Sequence, residues 1–195
     1  FRTHGKIYEA AAAMMFGCGK GEVSEQTSAE GTKETAAESV IIETGNMVTS
    51  YLTGKQVDEA IGRQRPLAVM FNNIEAGCPQ TGISRADVVY ECPVEGRITR
   101  LMGIIEDWHD LEKIGSIRSC RDYYLSFALE FDPIYVHFGQ ATVYVGDMLN
   151  SDLVDNISGA VAGIERPAPE AFYRTNDRKA PHNVYASAEC IMKYI

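Results

Sequence analysis

Two arginines three positions apart flank a cysteine in the stretch GSIRSCRDYY (115–124), where a short apolar run gives way to a helical pattern. A helix start already carries partial positive charge, so cations placed there need a negative partner. Two kinds would serve. A carboxylate of the protein, from Glu91, Glu95 or Asp122, could fold over and pair with Arg118 and Arg121, because arginine suits partly buried, bidentate pairing. An external anion could instead be held by the arginine forks and by free N–H groups around Ser119. Further polar groups stand at expected element ends: Arg97 and Arg100 beyond a hairpin, and Arg178, Lys179, His182 and Asn183 in a late loop. If the sheet gathers these ends, the expected ligand-binding set is Arg100, Arg118, Ser119, Arg121, Arg178, His182 and Asn183.

The same groups define the catalytic candidates. Glu91 and Glu95 could act as acid and base on a glycan if their carboxyl groups stood roughly 5 to 10 Å apart. His182 sits in a polar loop beside cations and could move a proton. A hydrolase would therefore use Glu95 or His182, with the arginines stabilising developing charge. Cys120, near a helix start and between arginines, should have a lowered pKa. Ser119 is already explained as a helix cap, and His137, ending an apolar strand, reads as a hydrogen-bonded core histidine. Cys78, Cys92, Cys120 and Cys190 are widely spaced with no C-x-x-C pair, so structural zinc is not expected. No phosphate-binding glycine loop, zinc-protease motif or nucleophile elbow occurs, and no cofactor is expected.

The elements that must position these residues are legible in outline. RPLAVMFNN (65–73) is a continuous apolar run entered through a proline, which predicts a buried strand. The loop IEAGCPQTGISRA (74–86) carries the turn formers Gly77, Pro79 and Gly82. DVVYECPV and RITRLMGIIED, separated by Glu95-Gly96, predict a hairpin whose first strand is demoted to an edge by Pro93. SIRS (116–119) reads as a short strand. Apolar residues at helical spacing predict a helix from Ser119 to Phe131 with Ser119 as N-cap. DPIYVHFG (132–139) is another strand, 140–149 a second helix, and FYRTNDRKAPHNVYAS a strand with an irregular polar loop, after which Ser187 caps a last helix. The fold class is α/β, a mixed sheet with packed helices, with α+β as the alternative.

The 195 residues carry a formal net charge of -9, which argues against a nucleic-acid partner. The amino-terminal part differs in character. KIYEAAAAMMFGCGKG is too short to span a bilayer, which takes about 20 apolar residues, but has the length of a signal-peptide apolar region. Gly17-Cys18 resembles a bacterial lipobox, whose cysteine is lipidated. Glu9 and the bulky Phe16 depart from that pattern. GKGEVSEQTSAEGTKETAAESV follows, without an aromatic residue, and predicts a flexible acidic linker. The expected organisation is a signal-like segment over 1–18, a linker over 19–50 and a globular domain over 51–195.

Six motifs in order, RPLAVMFNN, PQTGISRADVVYE, VEGRITRLMGI, KIGSIRSCRDYYL, DPIYVHFG and FYRTNDRKAPHNVYAS, resemble the YerB-like family of bacterial lipoproteins, a family of unknown function. The resemblance covers residues 52–195. It implies an extracytoplasmic protein held at the membrane through Cys18, and a further domain beyond Ile195. It implies no activity. The expected role is binding of an anionic small molecule or a cell-wall glycan; a cell-envelope hydrolase and a protein-binding module are the alternatives.

Overall fold

The structure is a computed structural model and describes residues 45–195. The signal-like segment, Cys18 and most of the expected linker lie outside the described residues. Within them the chain forms a small hairpin, β1 (Met47–Thr49) and β2 (Gln56–Asp58), followed by a helical turn, α1 (Glu59–Gly62). The strand at Met47–Thr49 falls inside the expected linker, whose last residues are therefore ordered structure. The pairing partner, Gln56–Asp58, supplies the order.

The main sheet is built from β3 (Leu67–Asn72), β4 (Val88–Pro93), β5 (Thr99–Ile105), β7 (Ile134–His137) and β8 (Asn156–Ser158). Their order is β4-β5-β3-β7-β8. β4, β5 and β3 run antiparallel to their neighbours, whereas β3, β7 and β8 are parallel. Helices α2 (Asp122–Ala128) and α3 (Thr142–Leu149) pack on one face. On the other lie a three-stranded sheet, β6 (Ile114–Gly115), β10 (Val184–Ala186) and β9 (Phe172–Arg174), and helix α4 (Ala188–Met192). The expected mixed sheet with packed helices is present, and the hairpin beside a parallel trio makes it α+β.

β3 is apolar from Leu67 to Phe71 because both its faces are covered. Leu67, Val69 and Phe71 point into one core, with Ile114, Val184 and Ile191. Ala68 and Met70 point into the other, with Tyr124, Leu125 and Val145. Each large side chain so enclosed contributes roughly 1.5 to 3 kcal/mol. Pro93 does end an edge strand, as its missing donor requires. The connection after it is longer than a tight Glu-Gly turn: Val94 N–H reaches Ile98 O at 2.9 Å, with positive φ at Gly96 and Arg97. Ser187 caps α4 as expected, accepting from the Cys190 N–H at 3.2 Å.

Candidate functional site

β3 and β7 pair only through Leu67↔Ile134, Ala68↔Tyr135 and Val69↔Val136. Beyond that point a strand-like segment, 116–120, enters between them. Arg118 N–H donates to Met70 O at 2.9 Å on the β3 side, and Asn72 N–H to Ser116 O at 2.9 Å. On the β7 side, Phe138 N–H donates to Arg118 O at 3.0 Å and Cys120 N–H to Gly139 O at 2.9 Å. Ile117 and Cys120 are buried in the two cores. The arginines therefore stand at the carboxyl ends of two parallel strands, the place where open sheets of this kind receive ligands. This insertion also corrects the expected helix. Residues 116–120 are consumed as sheet, so α2 starts only at Asp122; Arg121 occupies the N-cap position, and Ser119 caps nothing.

Arg121 meets a carboxylate. Its Nε and Nη2 donate to Glu95 Oε1 and Oε2 at 2.8 and 2.6 Å, and its Nη1 to Cys120 O at 2.6 Å. The Arg121 hydrogen bonds hold the Glu95 carboxyl down at about 2. A carboxyl so held has no proton to donate near neutral pH, which weighs against Glu95 as a general acid. Glu91 is engaged separately, accepting from Asn73 Nδ2 at 3.0 Å and from Thr99 Oγ1 at 2.5 Å.

Arg100 and Arg118 meet none. Arg100 is 5% exposed, and the hydrogen bond of its guanidinium is from Nη1 to Ser119 O at 2.5 Å. Burial, then the charges of Arg121 and Arg118, pull its pKa down to about 10. Arg118 donates from Nη1 to Pro181 O at 3.1 Å, while its enclosed Nε has no partner. Its pKa is lowered by burial and by Arg121 and Arg174. Among the described residues, no carboxylate lies within ion-pair distance of either side chain.

His182 joins this group. Asn72 Nδ2 donates to its Nδ1 at 2.9 Å, which places the ring proton on Nε2, and burial and Arg118 lower its pKa. The amide is held by close approach: a Cβ on Gly77 would stand 2.3 Å from Asn72 Nδ2. Arg178 and Asn183 are committed to the scaffold. Arg178 ties its loop to Gly77 O and Pro79 O at 2.6 and 2.9 Å. The buried Asn183 accepts from Arg174 Nη1 at 2.8 Å and donates to Thr175 O at 2.7 Å. His137 is the core histidine expected, its Nδ1 2.9 Å from Gly139 O and its pKa pushed to about 4 by burial. Cys120 is the reverse of the activated thiol its neighbours suggest, because burial raises it to about 12.

Sequence reasoning missed Asn72, Ser116 and Arg174. Asn72 had a readable signal, a polar residue closing a buried parallel strand; Ser116 and Arg174 had none, since their place depends on β6 and β9 crossing the sheet. A cavity of about 440 Å³ lies elsewhere, lined by Arg65, Ile134, Val154, Ile164 and Tyr194 at the amino end of β7. It shares no residue with the arginine group, whose significance rests on charge rather than on depth.

The fold defines an α+β domain with a mixed five-stranded sheet and an arginine-rich rim at the carboxyl ends of its parallel strands. The chain belongs to the family described as "Protein of unknown function (DUF3048) N-terminal domain", whose model matches residues 52–195. The resemblance carried by the six motifs is thereby borne out. A relative in Bacillus subtilis (strain 168), named "Putative lipoprotein YerB", is 33% identical over 151 residues, covering 77% of this chain and 44% of its own. The crystal structure of the YerB protein from Bacillus subtilis matches with a TM-score of 0.65 at 33% identity, over 75% of this chain and 48% of that one. The chain thus spans about half the length of the relatives it matches.

Proposed function

We propose that this protein is lipid-anchored through Cys18 on the outer side of the membrane and that its folded domain binds an anionic group, free or carried on a glycan, at Arg100 and Arg118. One observation carries the binding reading: Arg100 is 5% exposed, lacks a carboxylate partner among the described residues, and is opposed by the charges of two further arginines. A buried charge without a counter-ion is strongly destabilising, so an anion that fits here gains from a cost the fold itself already bears. Arg121 is the exception within the cluster, being paired to Glu95. Gly17-Cys18 and the relative's printed name support the anchor.

The binding reading is tested by thermal unfolding in buffers with and without added phosphate. Ligand that binds only the folded state raises the melting temperature by mass action. Arg118→Gln, at a half-exposed position, should remove most of that rise while leaving the anion-free melting temperature unchanged or higher. A parent protein indifferent to phosphate and sulfate would end the proposal. For the anchor, Cys18→Ser should abolish incorporation of labelled fatty acid in a bacterial host; equal labelling of both proteins would exclude it.

A further inference from the structure

We infer that the anion recognised at this rim is a doubly charged phosphate monoester, an inference that rests on the anion-binding reading above and narrows it. The first ground is charge. Arg100 and Arg121 donate to the adjacent carbonyls of Ser119 and Cys120, one and two residues after Arg118, close enough for the charge of Arg121 to oppose both Arg100 and Arg118, and Glu95 is the carboxylate paired within the group among the described residues. Three cations less one anion leave at least two positive charges. Arg174, whose polar partner is the neutral Asn183, lies close enough to oppose Arg118 as well. His182 adds a hydrogen-bonding ring, and burial and Arg118 lower its pKa, which disfavours its charged form. A single carboxylate would leave a buried guanidinium uncompensated.

The second ground is the set of unsatisfied donors. Arg118 Nε is enclosed without a partner, and so is the hydroxyl of Ser116, a residue with no exposed surface two positions earlier on the same inserted segment. Arg100 uses one of its guanidinium nitrogens on Ser119 O. A carboxylate offers two oxygens and matches one guanidinium fork. A phosphate monoester offers three terminal oxygens and close to two charges, enough to meet two forks from different directions and a hydroxyl besides. A phosphodiester carries one charge per group, so the same reasoning sets this rim apart from a nucleic-acid surface, in keeping with a chain of net charge -9.

Isothermal titration at pH 8, where a monoester is fully doubly charged, tests this with glycerol 1-phosphate, dimethyl phosphate and acetate. The monoester should bind at least about tenfold more tightly than either singly charged probe. Glu95→Gln, which takes away the opposing carboxylate, should tighten the monoester further, and Arg100→Gln should abolish its binding. Sedimentation with vesicles containing phosphatidic acid separates the sources of the group: capture places it on a lipid, and binding of the soluble monoester alone places it in solution. Acetate or dimethyl phosphate binding as tightly as the monoester would overturn the inference while leaving an anion site intact. Weaker monoester binding by Glu95→Gln would overturn it too. Failure of every anion to bind would remove both this inference and the reading beneath it.

Discussion

The two ends of β3 hold the same kind of residue in opposite circumstances. Arg65, just ahead of the strand, places Nη1 2.5 Å from Asp155 and Nη2 3.1 Å from Asp132, and donates to Asp132 O and Pro133 O as well. Arg85, in the loop before β4, is likewise flanked by Asp107 and Asp110, and its pKa is raised by them. Arg100, at the carboxyl end of β3, is more deeply placed, and neither it nor the partly exposed Arg118 beside it has such a partner among the described residues. Arg65 keeps 38% of its side chain exposed and has two carboxylates; Arg100 keeps 5% of its surface and has none. Burial raises the penalty of an unpaired charge. The lesson is that the pairing of a cation, weighed against its burial, separates an arginine that fastens loops from one held ready for something outside the protein.

The largest effect expected at the carboxyl end comes from acid. His137 has a folded pKa of about 4, against about 6.5 for an unfolded histidine. The unfolded chain therefore binds the proton first, and stability present above pH 6.5 is lost as the pH falls toward 4, by roughly 3 kcal/mol. Urea unfolding of parent and His137→Gln at pH 7, 5 and 4 should show this loss in the parent alone; matching pH profiles would refute it. Next comes Tyr124, whose hydroxyl fastens Arg100 O and both backbone groups of Cys92. Tyr124→Phe should lose about 1 to 3 kcal/mol by leaving buried backbone groups unpaired, and should weaken phosphate binding by loosening Arg100.

The arginines themselves test the comparison most directly. Arg65→Gln should lower stability by about 1 kcal/mol in any buffer, since its pairs are partly exposed, and should leave the phosphate response untouched. Arg100→Gln should show the opposite pattern, with anion-free stability unchanged or raised and the phosphate response gone. Equal losses in both variants would erase the distinction between the two ends. The smallest effect belongs to Glu95. Its carboxyl is held at about 2 in the fold, below the unfolded value of about 4.3, so its contribution is present above pH 4.3 and fades as the pH falls toward 2. Proton titration followed by NMR should show the low value in the parent and its return to the ordinary range in Arg121→Gln.

Sequence alone was enough for the features that depend on neighbours along the chain. The uninterrupted apolar run of β3 announced a strand covered on both faces, Pro93 announced an edge, Ser187 announced a helix cap, and the ordered motifs announced the family. It also placed Arg100, Arg118, Arg121 and His182 at element ends, where a shared rim was possible. Which of them would be paired was beyond it. Glu91, Glu95 and Asp122 are equivalent as carboxylates on paper; the five-residue connection between β4 and β5 is what carries Glu95 to Arg121. Cys120 shows the same limit from the other side, because flanking arginines promise an activated thiol until the segment is seen wedged between β3 and β7, where desolvation outweighs the charges of Arg121 and Arg100. Charge and spacing are properties of the chain, whereas burial and the distance to a counter-ion arise only when distant segments are packed together, and at this rim those two quantities decide what each arginine does.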